Sequence, residues 1–145
     1  LRRMSEFTPY LSRPYRIEWG HCDPAGIVYA PRFLEFFGES TIMLFEQALG
    51  VRKKDMLKTR GVVGFPMVDV SAKFMRPAAY GDAVTLEAAA PAFGNSSFTI
   101  THRLIKDGVV CVEGVEKRVW TVADAERPGG MRAERVPDDI RAMFA

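Results

Sequence analysis

The stretch that decides the fold reads Gly20-His21-Cys22-Asp23-Pro24-Ala25-Gly26, and a long apolar segment, residues 31–49, follows it closely. Proline locks its own φ and disfavours the helical region for the residue before it, so Asp23 is expected in an extended or turn conformation. Pro24 and Gly26 fit the second and fourth positions of a type I turn that Asp23 opens. The sequence therefore predicts a carboxylate in a tight turn, close to the start of the next element.

That next element is predicted to be one long helix. Pro31 suits the first helical position and Gly50 suits the residue just past the end, which gives a helix about 28 Å long. Its apolar residues cover more than one stripe, so the helix should be buried on most of its circumference. These residues are Phe33, Leu34, Phe36, Phe37, Ile42, Met43, Leu44, Phe45, Ala48 and Leu49. The rest of the chain must wrap around it.

Alternating apolar and polar residues predict the wrapping element. Residues 15–19 alternate before the turn, and the runs 68–74, 84–88, 98–104 and 109–123 follow after Gly61 with short turns between them. Hairpin order favours one antiparallel sheet. We predict an α+β fold in which a five-stranded antiparallel sheet wraps around one central helix, and part of the sheet edge and helix is expected to need a partner subunit.

The remaining segments complete the predicted organisation. Residues 1–14 are interpreted as a flexible N-terminal arm and residues 15–145 as a single domain. The basic segment 51–60 is expected to be a connector or a second short helix. The acids after Pro137 open a short final helix.

Composition limits the function classes. The 145 residues are 48% apolar and 26% charged, as in an ordinary globular protein, and the net charge of +2 is too balanced to indicate a nucleic-acid partner. Two cysteines without metal-type spacing, two histidines and no clustered carboxylates argue against a disulfide framework and a metal site. No run approaches 18 apolar residues and the N-terminal residues lack the apolar core of a signal peptide, so we expect a cytoplasmic protein without a membrane partner.

The segment from Tyr15 to Pro31, and more weakly the segment 61–68 and the later strands up to Trp120, strongly resembles the 4-hydroxybenzoyl-CoA thioesterase family of hotdog-fold proteins. The specific part is the run Cys22-Asp23-Pro24-Ala25-Gly26-Ile27-Val28. The resemblance implies a hotdog fold and hydrolysis of an acyl-CoA thioester. It also implies that Asp23 is the nucleophile or general base, that the backbone N–H of Ala30 polarises the carbonyl, and that a homodimer or homotetramer has its active sites at subunit interfaces. No cofactor is implied, because coenzyme A is part of the substrate.

Helix physics agrees with the role given to Ala30. The first N–H groups of a helix have no internal partner and lie at its positive end. Ala30, at the expected capping position, has no side-chain oxygen to satisfy them, so the donors are available to a ligand. The alternative is that water or a nearby loop occupies them.

The two histidines and Cys22 have weaker roles. In an extended segment His21 shares a side with Asp23, so it is a candidate for orienting that carboxylate; the alternative is a partly buried polar residue. Cys22, as a rival nucleophile, would point to the opposite side. His102 lies among apolar residues and is expected to be a packed or interface histidine.

Specificity is predicted from departures from the family pattern. Phe65 replaces a small hydroxyl residue, and Gly38 falls where such enzymes can present an acid to a hydroxyl of the acyl group. Both argue against a 4-hydroxylated aromatic acyl group and for a more apolar pocket, rimmed by Tyr29, Phe33 and Phe65, that accepts a benzoyl-like or medium-chain acyl group. The alternative is that these aromatic residues are only core.

Coenzyme A carries phosphates, which require cations or free donors. Arg118 matches a basic position of the family and is the first candidate, although ordinary surface charge explains it equally well. Asn95 and Ser96 lie in a turn that lacks the basic residues of some members, and their backbone N–H groups and side chains are weaker candidates.

Two rival functions stay open. A hotdog hydratase or dehydratase would need an aspartate–histidine pair acting next to the thioester. A non-catalytic acyl-ligand-binding module would need no carboxylate in the turn, so the intact Asp23-Pro24-Ala25-Gly26 sequence favours the thioesterase.

Overall fold

The computed structural model describes residues 7–145, so the first part of the predicted N-terminal arm lies outside the described residues. In chain order the elements are β1 (Pro9–Arg16), α1 (Pro31–Leu49), α2 (Lys53–Arg60), β2 (Val62–Gly64), β3 (Met67–Phe74), β4 (Ala83–Ala89), β5 (Ala92–Phe93), β6 (Ser97–Lys106), β7 (Val109–Val119), β8 (Thr121–Ala123), β9 (Met131–Ala133) and α3 (Asp138–Met143). Two single-turn 3-10 helices, Trp19–His21 and Pro128–Gly130, lie in the connections.

Helix α1 has the predicted bounds. It begins at Pro31 with Ala30 as its capping residue, and it ends at Leu49, where Gly50 caps it in the left-handed conformation (φ 68°) that glycine tolerates best. Its buried side chains pack onto the large sheet, and the ring of Phe37 lies so close to Gly114 of β7 that a Cβ at residue 114 would be 2.5 Å from Cε2 of the ring. The helix therefore sits directly on the backbone of the sheet.

The large sheet contains the predicted five main strands. They are antiparallel, in the order β1-β4-β6-β7-β3, and the short β5 pairs with β6. The prediction that residues 9–14 belong to a flexible arm is wrong, because β1 begins at Pro9 and pairs with β4. Pro9 and Pro14 lie in this strand, and proline is unfavourable in most strands, so the sequence did not indicate it. An edge strand tolerates proline because half of its N–H groups need no partner in the ladder.

A second, three-stranded sheet was not predicted. It has the order β2-β8-β9 and forms because the predicted last strand, residues 109–123, is divided at Trp120. The Trp120 N–H donates to the Ser96 carbonyl, which continues the β6–β7 register by one residue, and from Thr121 onward the chain pairs with β2 and β9 instead. The indole of Trp120 is buried in the core at this end of the molecule, next to Phe45, Phe65 and Phe98.

One strip of the large sheet is uncovered. β3 is the last strand in the sheet order, with only β7 beside it, and its residues are exposed or half-buried along its whole length. Exposed apolar side chains lie at both of its ends: Met67, Val68, Phe74 and Met75. None of the described helices is long and apolar enough to cross a lipid bilayer.

Candidate active site

The turn around Asp23 is held by its own hydrogen bonds. The Gly26 N–H donates to the Asp23 carbonyl (2.9 Å), and Gly26 has a φ of 81°, which a residue with a Cβ adopts only with strain. The Ala25 N–H donates to Asp23 Oδ1 (2.8 Å), as in an Asx turn. Oδ2 has no protein donor among the described residues, and the side chain is half-buried. One carboxylate oxygen is therefore fixed while the other is free to act on a ligand.

The turn lies beside the start of α1. Cys22 and Val28 form an antiparallel bridge, the Asp23 N–H donates to the Ile27 carbonyl, and the Tyr29 N–H donates to the His21 carbonyl (2.9 Å). These bonds fold residues 21–23 back along residues 27–29. Asp23 and Ala30 therefore belong to the two sides of one closed loop.

The beginning of α1 supplies free donors. Ala30 is exposed, and no side chain caps the helix. The N–H groups of Arg32 and Phe33 bond to the Tyr29 and Ala30 carbonyls, whereas the Ala30 N–H donates to no acceptor within residues 7–145. Ala30 holds helical angles (φ −46°, ψ −43°) in front of a proline, a position where the helical region is disfavoured, so the loop closure holds it in place. An exposed, unpaired N–H at the positive end of a helix is suited to a carbonyl oxygen or oxyanion.

An apolar cavity of about 270 Å³ opens next to this N–H. Ala30 and Phe33 line it from the helix side, and Phe74 lines it from the end of β3. The remaining lining residues are Ile27, Val28, Met75, Arg76, Pro77 and Ala78. Ligand sites usually measure about 300–1,000 Å³, so this cavity suits the acyl end of a substrate rather than a whole coenzyme A thioester. Tyr29 lies beside it in sequence with its ring exposed.

His21 does not contact Asp23. Its Nδ1 accepts the Glu18 N–H (3.0 Å), so the neutral ring carries its proton on Nε2, which lies 3.4 Å from the Tyr15 hydroxyl. Burial, and next the Glu39 carboxylate, raise the pKa of Tyr15, so this phenol is neutral and can accept from His21. The expectation that His21 orients Asp23 is therefore wrong within this chain; His21 holds the loop that carries Asp23.

A buried polar network lies beneath α1. His102 Nε2 is 2.9 Å from Glu116 Oε1 and 3.1 Å from Thr41 Oγ1, and Thr41 also donates to that carboxylate oxygen. Arg118 Nη2 donates to Glu116 Oε2 (2.7 Å). Burial alone would raise the pKa of Glu116, but the hydrogen bonds from His102, Arg118 and Thr41 lower it to about 2. The network therefore ties α1 to β6 and β7 around an ionised carboxylate.

This network places two predicted site residues in the interior. Arg118 also donates from Nη1 to the Phe65 carbonyl (2.8 Å), and only 14% of its side chain is exposed, so it is not the surface cation expected for a coenzyme A phosphate. The Phe65 ring is 5% exposed and packs against Phe45, Phe98 and Trp120. This position agrees with the alternative that Phe65 belongs to the core and does not line the acyl pocket.

Asn95 and Ser96 lie at the Trp120 end of the fold. Their carbonyls accept the Val136 and Trp120 N–H groups, and Arg141 of α3 donates to the Gly94 and Asn95 carbonyls. The loop is thereby fixed, and its contact with a phosphate stays a prediction. Among the described residues no group of three or more histidine, cysteine or acidic side chains could hold a metal ion.

Sequence reasoning missed Thr41 and Glu116 as functional candidates. The sequence did contain an indication, because both are polar residues at positions where the periodicity of the helix and of the strand predicts a buried side chain. His102 was predicted to be packed, and the structure adds its partners. A histidine, a threonine and a glutamate on separate elements come together only through tertiary structure.

Comparisons with known proteins agree with this geometry. The family model described as Thioesterase-like superfamily matches residues 17–144. The 4-hydroxybenzoyl-CoA thioesterase of Pseudomonas sp. (strain CBS-3) is 32% identical over 129 residues, which cover 86% of this chain and 89% of that protein. A solved structure of that enzyme superposes with a TM-score of 0.83 at 28% identity, covering 94% of this chain and 99% of the other.

A second solved relative is named for a different substrate. A gentisyl-coenzyme A thioesterase superposes with a TM-score of 0.77 at 27% identity, covering 93% of this chain and all of the other. The prediction of a hotdog fold is confirmed by these neighbours and by the antiparallel sheet packed on α1. Because the family model spans most of the sequence and the relatives are matched nearly end to end, this chain belongs to the Thioesterase-like superfamily.

Proposed function

We propose that the protein hydrolyses acyl-CoA thioesters, with Asp23 as the catalytic carboxylate and the Ala30 N–H as the group that polarises the carbonyl. The observation that carries the proposal is the unpaired, exposed Ala30 N–H at the start of α1, beside an apolar cavity and in one closed loop with Asp23. The named activities of the relatives support the same reaction class.

The reaction needs a nucleophile on one side of the thioester carbonyl and donors for the oxyanion on the other. The carbonyl oxygen would accept from the Ala30 N–H, which stabilises negative charge as it develops. The free oxygen of Asp23 either attacks the carbonyl carbon, forming a mixed anhydride that water then cleaves, or removes a proton from an attacking water. In both routes the C–S bond breaks, coenzyme A leaves as a thiol, and the acyl group leaves as a carboxylic acid.

The acyl group is proposed to be aromatic. The cavity is lined mainly by apolar residues, among them the rings of Phe33 and Phe74, whose centroids are 5.6 Å apart. Flat apolar walls of this kind fit a benzoyl-like ring, although a medium-chain acyl group of similar volume also fits.

The hydratase alternative is less well supported. Such chemistry would need an imidazole next to the thioester, but His21 is engaged with Glu18 and Tyr15, and His102 is fully buried beneath α1. Neither histidine lines the cavity. A binding module without catalysis would leave the free carboxylate oxygen and the unpaired N–H without a use.

The protein is also proposed to work as a homodimer, or as a homotetramer built from two such dimers. β3 is an edge strand with exposed apolar side chains, and natural proteins rarely leave such an edge uncovered. An antiparallel pairing of two β3 strands would cover both edges and join the two sheets. The chain mass is 16.2 kDa, so sedimentation is expected to give twice or four times this value, and a monomer at micromolar concentration would contradict the dimer.

A substrate panel tests the reaction. Benzoyl-, hydroxybenzoyl-, octanoyl- and acetyl-CoA and one enoyl-CoA would be incubated with the protein, with release of free thiol as the measurement and products identified by mass spectrometry. We expect thiol release with the aromatic thioesters above all. Binding of these thioesters without thiol release would favour the binding module, and hydration of an enoyl-CoA without thiol release would favour the hydratase.

The two routes for Asp23 are separable by isotope. In a single turnover in oxygen-18 water, a mixed anhydride that water cleaves at the aspartyl carbonyl leaves one label in the carboxylate of the peptide that contains Asp23. Direct attack by water leaves that peptide unlabelled. Mass measurement of the peptide distinguishes the two.

A further inference from the structure

A second cavity adjoins the apolar cavity beside Ala30 (the acyl cavity), and no step of the proposed reaction uses it. It has a volume of about 240 Å³ and lies against the hairpin between β6 and β7. Arg76 and Pro77 line both cavities. The remaining lining residues of the second cavity are Lys106, Asp107, Val109 and Cys111. The segment Arg76–Pro77 is therefore the boundary over which a ligand passes from one cavity to the other.

The volumes of the two cavities fit the parts of an acyl-CoA thioester. Ligand sites usually measure about 300–1,000 Å³, so the acyl cavity, at about 270 Å³, has room for the acyl group but not for the pantetheine arm and the nucleotide. The second cavity adds room directly beyond Arg76 and Pro77. A pantetheine arm that leaves the thioester along this part of the wall would enter the second cavity.

Arg76 has a fixed backbone and an unpaired side chain. The N–H groups of Met75 and Arg76 both donate to the Cys111 carbonyl, at 2.8 and 3.1 Å, and Pro77 follows with its φ locked. The guanidinium is exposed, and within residues 7–145 it has no hydrogen bond or ion pair. Because a guanidinium matches the geometry of phosphate oxygens, an unpaired arginine on a fixed backbone is suited to a phosphate of a ligand.

The other charges of the second cavity do not attract an anion. Lys106 pairs with Asp82 at 2.9 Å, and this hydrogen bond lowers the pKa of Asp82 and raises the pKa of Lys106, so both groups are charged at neutral pH. Asp107 adds a carboxylate to the lining. A phosphate is therefore expected at the Arg76 edge of the cavity, away from Asp107.

The cation expected for a coenzyme A phosphate is missing from the positions where the sequence suggested it. Arg118 is engaged with Glu116 and the Phe65 carbonyl in the interior, and the side chains of Asn95 and Ser96 carry no charge. Arg76, in contrast, lies at the edge of the acyl cavity. Sequence reasoning did not single it out, because one arginine between two strands has no distinguishing pattern.

We propose that Arg76 binds a phosphate of the coenzyme A part of the substrate, with the pantetheine arm passing over Pro77 into the second cavity. This assignment rests on the proposed thioesterase function. The guanidinium donates from its terminal nitrogens to the phosphate oxygens. Because the contact is remote from the reacting carbonyl, it is equally strong before and during the reaction, so its removal raises KM and leaves kcat unchanged.

Truncated thioesters test the assignment. Benzoyl-CoA, benzoyl-4′-phosphopantetheine and benzoyl-pantetheine share one acyl group and lose first the nucleotide and then the last phosphate. Arg76→Gln is expected to lower kcat/KM for benzoyl-CoA about 10-fold, the lower end for a hydrogen bond between charged groups because the site is exposed, and to leave benzoyl-pantetheine unchanged. Lys58→Gln removes an exposed, unpaired charge on α2 and is the control for net charge, so it should change neither value.

The results separate the assignment from the proposed function. A loss that is already present with benzoyl-4′-phosphopantetheine assigns the contact to the phosphate next to the pantetheine, and a loss seen only with benzoyl-CoA assigns it to the outer phosphates; both support the proposal. An equal effect of Arg76→Gln on benzoyl-CoA and benzoyl-pantetheine, or no effect on either, would overturn it. A lack of thiol release from every thioester with the wild type would overturn the proposed function instead.

A variant that fills the second cavity tests the path of the arm. Val109, at the start of β7, is 36% exposed and lines the second cavity but not the acyl cavity. Val109→Trp is expected to raise KM for benzoyl-CoA several-fold, whereas the benzoyl thioester of N-acetylcysteamine, which is too short to reach the second cavity, should keep its wild-type kcat/KM. Circular dichroism of the variant checks its fold. An unchanged KM for benzoyl-CoA in the folded variant would refute the path through the second cavity.

Discussion

Replacing Glu116 by Gln tests the buried network that connects α1 to the sheet. Gln has nearly the same shape but no charge, and its amide group cannot accept from Thr41, His102 and Arg118 together. Glu116 is 1% exposed and Arg118 is 14% exposed, so the variant leaves a cation in the interior without its partner. Breaking a buried ion pair in this way costs about 3–5 kcal/mol.

The pKa of Glu116 gives a second value for the contribution of this carboxylate to stability. A carboxylate whose pKa falls from 4.5 in the unfolded chain to about 2 in the folded protein contributes roughly 3 kcal/mol of stability at neutral pH. This contribution is fully present above pH 5 and is lost as the pH falls through 4.5 toward 2, because protonation is then favoured in the unfolded state first. The difference in stability between wild type and Glu116→Gln should shrink over that range.

The assay is urea denaturation monitored by tryptophan fluorescence, repeated from pH 7 down to pH 3, with thermal melts in parallel. At pH 7 we expect a loss of about 3–5 kcal/mol and a drop in Tm of about 6–15 °C. Glu35→Gln is the matched control, because Glu35 forms an ion pair of similar length with Arg32 (3.0 Å) on the exposed side of α1 and should cost at most about 0.5 kcal/mol. A loss below 1 kcal/mol for Glu116→Gln, or one that does not depend on pH, would refute the reasoning.

Two further variants test other parts of the structure. Ala30→Pro removes the N–H, and the φ of −46° at this residue is close to the angle of proline, so kcat is expected to fall about 10²–10³-fold. Ala30→Gly keeps the N–H, and its kcat should stay within a few-fold of wild type. Equal rates for the two variants would rule out this donor. Gly114→Ala puts a Cβ 2.5 Å from the Phe37 ring and should lower the free energy of unfolding, measured by urea denaturation, by about 1–3 kcal/mol. In a chain that already carries Phe37→Leu, the same substitution should cost less. Fully additive losses would show that the two residues do not touch.

The fold was predictable where local signals agree with tertiary structure. Pro31 and Gly50 mark the bounds of α1 because their backbone preferences act locally, and the alternating runs give the main strands for the same reason. Residues 9–14 of β1 were missed because Pro9 and Pro14 disfavour a strand everywhere except at an edge, and a sequence does not reveal which strand lies at the edge. The division of the last strand at Trp120 was missed because the residues after it pair with β2, which is distant in sequence.

The candidate site shows the same limit. The turn at Asp23 and the helix start at Ala30 were predictable because they are neighbours along the chain, and the catalytic roles of both residues stay proposals. Arg118 and Gly38 were interpreted separately, as a surface cation and as an apolar gap, since 80 residues separate them in the sequence. The structure brings them together, and the physical meaning of each residue depends on the other.

The most direct test of the account is the rate of thioester hydrolysis by Asp23→Asn. Asn keeps the shape of the turn and can still accept the Ala25 N–H, but it is neither a base nor a nucleophile of comparable strength. Asp55→Asn in the first turn of α2 is the control for the same chemical change. We expect kcat of Asp23→Asn to fall about 10²–10⁴-fold, with an unchanged circular dichroism spectrum and unchanged binding of acyl-CoA. A wild-type kcat in that variant would show that Asp23 is not the catalytic carboxylate.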